Sequence, residues 1–124
     1  MLLCDTDVLI EILKGNEEIR AEFETLSDQI ALSAITVMEL YFGALNKREL
    51  YKIKRFVSGF EIFLVNEEVS QAGIRLIEKY AKSHGLRIPD ALIAATALIF
   101  DLALWTLNVR DFRFIEGLKL WSPR

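Results

Sequence analysis

The chain has 124 residues, 52% hydrophobic and 27% charged, with only two prolines, which is the size and balance of an ordered globular domain rather than a disordered or fibrous segment. Its longest uncharged runs, Gln29 to Met38 and Ala91 to Phe100, are ten residues each, about half of what a bilayer-spanning helix needs, so a membrane protein is excluded. A formal charge of −3 excludes binding to a polyanion through bulk charge; such a substrate would need a local basic patch or bound cations.

Short β-rich runs alternate with longer helical ones. Leu2-Leu3-Cys4 reads as a first strand, followed by Asp5-Thr6-Asp7 and a helix with apolar residues at Val8, Leu9, Ile12 and Leu13, stopped by Gly15-Asn16. A polar helix around Glu17 to Leu26 leads to a second strand, Ile30 to Ser33, and a helix from near Thr36 to about Leu45. Asn46-Lys47-Arg48 opens an amphipathic helix with Leu50, Ile53, Phe56 and Val57 on one face, ending at Ser58-Gly59. Phe60 to Val65, aromatic and β-branched and closed by a cap-type Asn66, is the strongest strand signal. A long helix with Val69, Ala72, Leu76, Ile77 and Tyr80 at helical spacing ends at Ser83-His84-Gly85. Then come the helix of RIPDALIAATALIF, a strand Ala103 to Leu107, a short turn and a last strand Leu118 to Trp121. Such alternation argues a parallel sheet covered by helices on both faces. With no repeat, low-complexity stretch or linker, residues 1–124 are expected to form one domain. The single cysteine, Cys4, has no internal disulfide partner and reads as a small buried thiol; with no signal-peptide pattern, a cytoplasmic location is the expectation.

In such a sheet, ligands gather at the carboxyl ends of the strands. The pattern delivers acids there: Asp5 after the first strand, Glu39 in the helix after the second, Asp90 at the start of the helix that feeds the fourth, and Asp111 just past that strand, with Thr106 and Asn108 on the way. Each has a plain structural alternative. Asp7 follows Thr6 directly before the apolar periodicity and reads first as a helix cap. Thr36-Val37-Met38-Glu39 fits a capping box, and Asp90 behind Pro89 is favoured by the helix dipole at about 0.3 to 1 kcal/mol. Independent caps would be scattered over the fold, whereas these four acids share one strand-end face. Two carboxylates about 4 Å apart repel by roughly 4 kcal/mol at a protein surface. A hard divalent cation such as Mg²⁺ or Mn²⁺ reverses that sign, because it prefers oxygen ligands and leaves positions open for phosphate.

These residues resemble the PIN domain, and within it the VapC-type toxins of toxin–antitoxin pairs. The resemblance runs nearly end to end, on LLCDTDVLI, LSAITVMELYFGAL, RIPDALIAATAL, and LWTLNVRDF followed by GLKLWSP. It implies a three-layer α/β/α sandwich with a mostly parallel central sheet of about five short strands, and metal-dependent endoribonuclease activity. Carried over by position, it makes Asp5 and Asp90 the principal metal ligands, Glu39 the third acid and Asp111 the fourth. Thr6, Asp7, Thr106 and Asn108 become supporting residues, with Asn108 standing where many relatives carry Asp. The chemistry follows: one or two Mg²⁺ or Mn²⁺ ions would activate water for in-line displacement at phosphorus. The only histidine, His84, lies in a helix stop, so a histidine-pair ribonuclease is excluded by count.

Arg87, Arg110 and Arg113 lie next to the acids in sequence and are the candidate RNA contacts; Lys47, Arg48, Lys52, Lys54 and Arg55 form the densest basic cluster, equally readable as a solvated helix face. The resemblance also implies a homodimer and a small cognate antitoxin that blocks the acidic site. Three rivals stand beside this reading. Asp5-Thr6-Asp7-Val8 superficially fits a haloacid-dehalogenase-type phosphatase, but no convincing later acidic pair or lysine follows. A receiver-like domain would place a phosphoacceptor Asp where this chain has Asn66. A PIN-like module that binds RNA or protein without cutting would not need all four acids.

Overall fold

The computed structural model describes residues 1–123. Five strands, β1 (Leu2–Cys4), β2 (Ile30–Ser33), β3 (Glu61–Phe63), β4 (Ala103–Trp105) and β5 (Leu120–Trp121), form one sheet in the order β3-β2-β1-β4-β5. Every pairing is parallel, with Leu2 opposite both Ile30 and Ala103 and Cys4 opposite Trp105. Parallel strands need long crossovers, and paired helices supply the first three: α1 (Thr6–Leu13) and α2 (Glu17–Glu24), α3 (Ala34–Phe42) and α4 (Lys47–Val57), and α5 (Glu67–His84) and α6 (Ile88–Ile99), while a loop with one 3-10 turn joins β4 to β5.

The sheet divides the apolar residues by the alternation of a strand. Leu3 and Leu104 point into a core with α5 and α6. Leu2, Cys4, Leu32 and Trp105 point the other way, against α1, α3 and α4 and Phe23 of α2. The result is the three-layer sandwich, with β1, β2 and β4 central and β3 and β5 as short edges. Burial, together with the neighbouring Asp5 and Asp7 charges, pushes the Cys4 thiol far up, so it stays neutral.

Local signals fix most helix ends. The side chains of Asn16, Asn46 and Asn66 each accept the backbone N–H of the residue three positions on, in the helix they precede, and Gly85 ends α5 in the left-handed region at φ 70°. Where the structure departs from expectation, tertiary context decides. The run Phe60 to Val65 contributes only Glu61–Phe63 to the sheet, as an edge strand with one partner. The last two strands keep only Ala103–Trp105 and Leu120–Trp121. The third helix begins at Ala34, because Ser33 at the end of β2 accepts the Ile35 N–H. Thr36 is therefore inside the helix and the expected Thr36–Glu39 capping box does not form.

The strand order places a topological switch at β1. The chain builds β2 and β3 on one side of it, then returns to lay β4 on the other. A crevice at the carboxyl ends of β1 and β4 follows from that topology.

Candidate active site

Asp5 leaves β1 directly at the switch. Its backbone N–H donates to Trp105 C=O at 2.8 Å, and its side chain caps α1, with Oδ1 accepting from Thr6 N–H and Oδ2 from Thr106 Oγ1, each at 2.8 Å. Asp5, not Asp7, is thus the cap of this helix. Asp7 sits one position into the first turn and turns to the loop after β4. Its Oδ2 accepts from Asn108 Nδ2 at 2.9 Å and Leu107 N–H at 3.1 Å, while Oδ1 is buried with no partner.

Glu39 lies in mid-α3 and is held from another element. Thr6 Oγ1 donates to Glu39 Oε1 at 2.6 Å and lies 3.0 Å from Thr36 Oγ1. A carboxylate only accepts and a hydroxyl has one hydrogen, so Thr6 gives its proton to Glu39 and takes one from Thr36. Buried Thr36 is a member of the site that the capping-box reading concealed. Asp90 stands in the first turn of α6 behind Pro89, and the remaining body of that helix, Ala91 and Ile93 to Ala97, is buried. Asp111 closes a 3-10 turn, Val109–Asp111, after β4.

These segments enclose one open cleft of about 710 Å³. Asp5, Asp7, Glu39, Asp90, Asn108 and Asp111 line it, with Met38 and Phe42 on its apolar wall. Phe42 is 91% exposed and Met38 55%. Thr106 lies beneath, bonded to Asp5. Exposed Arg87, Arg110 and Arg113 do not line the cleft; Arg87 and Arg110 directly adjoin its lining residues Ile88 and Asp111 in sequence, and Arg113 lies two residues past Asp111. His84 is elsewhere, stacked on Phe114 with ring centroids 4.3 Å apart.

Crowded acids raise one another's pKa. Burial, then the charge of Asp7, pushes the Asp5 carboxyl up to about 7 against the donors Thr106 and Thr6. Burial likewise pushes Asp90 up to about 6, helped by Asp111 and Glu39 and opposed by Arg87. Asp7 is raised by burial too, against four hydrogen-bonding contacts that lower it. Among the described residues no three acidic, histidine or cysteine side chains are gathered tightly enough to form a ready-made metal cage. The donor set nonetheless suits Mg²⁺ or Mn²⁺: it is all oxygen, it is short of counter-charge, and it includes an orphaned buried carboxylate oxygen. Mg²⁺ is commonly held by one or two carboxylates plus water and phosphate, not by a protein cage.

The chain matches the PIN domain over residues 2–116. It is 35% identical over 123 residues to Ribonuclease VapC19 of Mycobacterium tuberculosis (strain ATCC 25618 / H37Rv), across 96% of this chain and 98% of that protein. Its fold is similar to a chain of the toxin-antitoxin complex from Klebsiella pneumoniae, with a TM-score of 0.84, 31% identity, and coverage of 100% of this chain and 98% of that one. A chain of DNA-bound VapBC from Salmonella typhimurium superposes with a TM-score of 0.88 at 26% identity, covering 99% and 98%. The chain belongs to the PIN-domain family, among its VapC ribonucleases.

Proposed function

We propose that this protein is a divalent-metal-dependent endoribonuclease and the toxin of a toxin–antitoxin pair, acting in the cytoplasm as a single PIN domain per protomer. The observation that carries this reading is the cleft at the switch point. Five carboxylates line it, and burial and mutual repulsion hold two of them near pKa 7 and 6. A fold keeps such a cluster when a cation is to be gripped there.

Asp5 and Asp90 are the principal ligands in this reading, with Glu39 and Asp111 completing the acidic set. When bound, Mg²⁺ or Mn²⁺ supplies Lewis acidity toward the scissile phosphate and a water of lowered pKa. The protein's own residues prepare that site. The Thr36–Thr6 relay holds Glu39, Thr106 holds Asp5 from below, and α6 presents Asp90 from a buried and therefore rigid body. Arg87, Arg110 and Arg113, close to the cleft residues in sequence, are the candidate contacts for phosphates flanking the cut, a positioning role without base readout. The acidic cleft also offers an anchor for a basic side chain of a small cognate antitoxin. The kinship with chains solved as toxin–antitoxin complexes supports that partner, and a homodimer is the expected assembly.

The test compares wild type with Asp90→Asn on total RNA, with Mg²⁺, Mn²⁺ or chelator, followed by mapping of the new ends. Internal cuts that need the cation and vanish in D90N are expected. RNA retained but uncut under every condition would instead establish a binding module.

A further inference from the structure

Asp7 and Asn108 meet across the mouth of the sheet, 101 residues apart in sequence, with Asn108 Nδ2 2.9 Å from Asp7 Oδ2. The same oxygen accepts Leu107 N–H at 3.1 Å and lies 3.3 Å from Thr106 Oγ1. Thr106 has one hydroxyl hydrogen and a nearer acceptor in Asp5 Oδ2 at 2.8 Å, so Leu107 and Asn108 are the loop's hold on Asp7.

That contact decides which way the amide points. A carboxylate cannot donate, so the end of Asn108 beside Asp7 is the NH₂ and the carbonyl oxygen Oδ1 is turned from it. The backbone of Asn108 is pinned as well: its N–H donates to Thr106 Oγ1 at 3.0 Å, and its C=O accepts Asp111 N–H at 2.9 Å. Among the described residues no protein donor serves Asn108 Oδ1, and Asn108 lines the carboxylate cleft. An amide oxygen is a good ligand for a hard cation, and it adds no charge to a site whose acids already repel one another.

We propose that Asp7 is a positioning residue: it locks the Asn108 amide so that Oδ1, rather than NH₂, is presented to the cleft as a neutral oxygen for a divalent cation or one of its waters. The proposal rests on the metal-dependent reading above and adds a named atom and the residue that orients it. The lock extends to Asp111, whose N–H closes the 3-10 turn onto the Asn108 C=O.

The test is Mn²⁺ binding by calorimetry to the purified full chain, with thermal denaturation in chelator as the fold control. Asn108→Ala and Asp7→Ala are each expected to weaken Mn²⁺ binding by about 10-fold, the scale at which losing an oriented ligand partner is felt. The double variant should be no weaker than either single one, because both remove the same oriented oxygen. Asp7→Asn, which keeps an acceptor, should recover part of the loss. An N108A variant that binds Mn²⁺ like wild type overturns the proposal, as do fully multiplicative effects of D7A and N108A. If D7A does not fold, N108A and D7N decide alone, with D7N expected to bind more tightly than N108A and more weakly than wild type. Mn²⁺ binding lost in D90N but intact in N108A sinks this inference and leaves the nuclease reading standing; wild type that binds no Mn²⁺ sinks both.

Discussion

Two hollows lie side by side on this molecule, sharing Ile10 and Glu39 as a common wall, and they are built on opposite principles. The carboxylate cleft gathers five acids, with Asp5 buried, Asp7 and Asp90 half-buried and Glu39 and Asp111 exposed. The neighbouring groove of about 560 Å³, between α1, α3 and α4, is floored by apolar side chains such as Leu40 and Ile53 and rimmed by Lys14, Arg48 and Lys52. Long cationic side chains keep their heads in water while their stems cover apolar surface, so the groove costs the fold little. The cleft works against folding: burial opposes the charge on Asp5 and Asp90, and the acids oppose one another. A surface shaped by stability alone would resemble the groove throughout.

The comparison can be broken by substitution. The largest effect is expected for Asp90→Asn: cleavage should fall by more than the roughly 10- to 100-fold that loss of an outer ligand partner costs, while the metal-free protein becomes more stable. Kinetics on a defined RNA, and denaturation in chelator, measure the two. A variant that loses stability together with activity would make Asp90 a structural residue instead.

Next in size is the pH dependence of metal-free stability. With folded-state pKa values of about 7 for Asp5 and about 6 for Asp90, against an ordinary aspartate value of 3.8, the folded protein binds more protons than the unfolded chain from about pH 4 to pH 7. Stability from these groups is therefore full below that window and is lost as pH rises through it. Urea denaturation in chelator should show the decline, Asp5→Asn should flatten it, and saturating Mn²⁺ should restore stability at pH 7. A flat profile in wild type would contradict the electrostatics of the cleft.

Smaller is Thr6→Val, which removes the donor to Glu39 while keeping the shape of the side chain. A drop of about 10-fold in kcat with little change in KM is expected; a change in KM alone would place Glu39 outside the chemistry. Smallest is the paired change Arg48→Ala/Lys52→Ala in the groove. Its effect on metal-free stability should stay within about 0.5 kcal/mol per site, and Mn²⁺ affinity should not move. A loss of Mn²⁺ affinity there would show that the two hollows are not electrostatically separate.

Much of this was legible in the sequence because it is local. The first two strands fall where Leu2-Leu3-Cys4 and Ile30 to Ser33 place them, and Asn46, Asn66 and Gly85 mark helix ends through their own side-chain or backbone chemistry. The sequence positions of the acids are also readable, since Asp5 directly follows an apolar strand run, Glu39 and Asp111 come within two turns of one, and Asp90 opens an apolar helix behind Pro89. The remainder depends on partners far apart in the chain. Thr6 and Glu39 are 33 residues apart and Asp7 and Asn108 are 101 apart, and no local pattern distinguishes a cap from such a clamp. Thr36-Val37-Met38-Glu39 fits the capping box residue for residue, yet Ser33, positioned by β2, starts the helix first. The β3 run is aromatic and β-branched, but the sheet reaches it from one side only and pairs three of its residues.

The most direct measurement of the central claim is the proton balance of Mn²⁺ binding, taken from calorimetry in buffers of different ionisation enthalpy at pH 6 and pH 8. If the cation sits among Asp5, Asp90 and their neighbours, binding at pH 6 should expel protons that those carboxyls hold, and binding at pH 8, where they are already ionised, should expel almost none. Binding with no proton release at pH 6, or no binding at either pH, would contradict it.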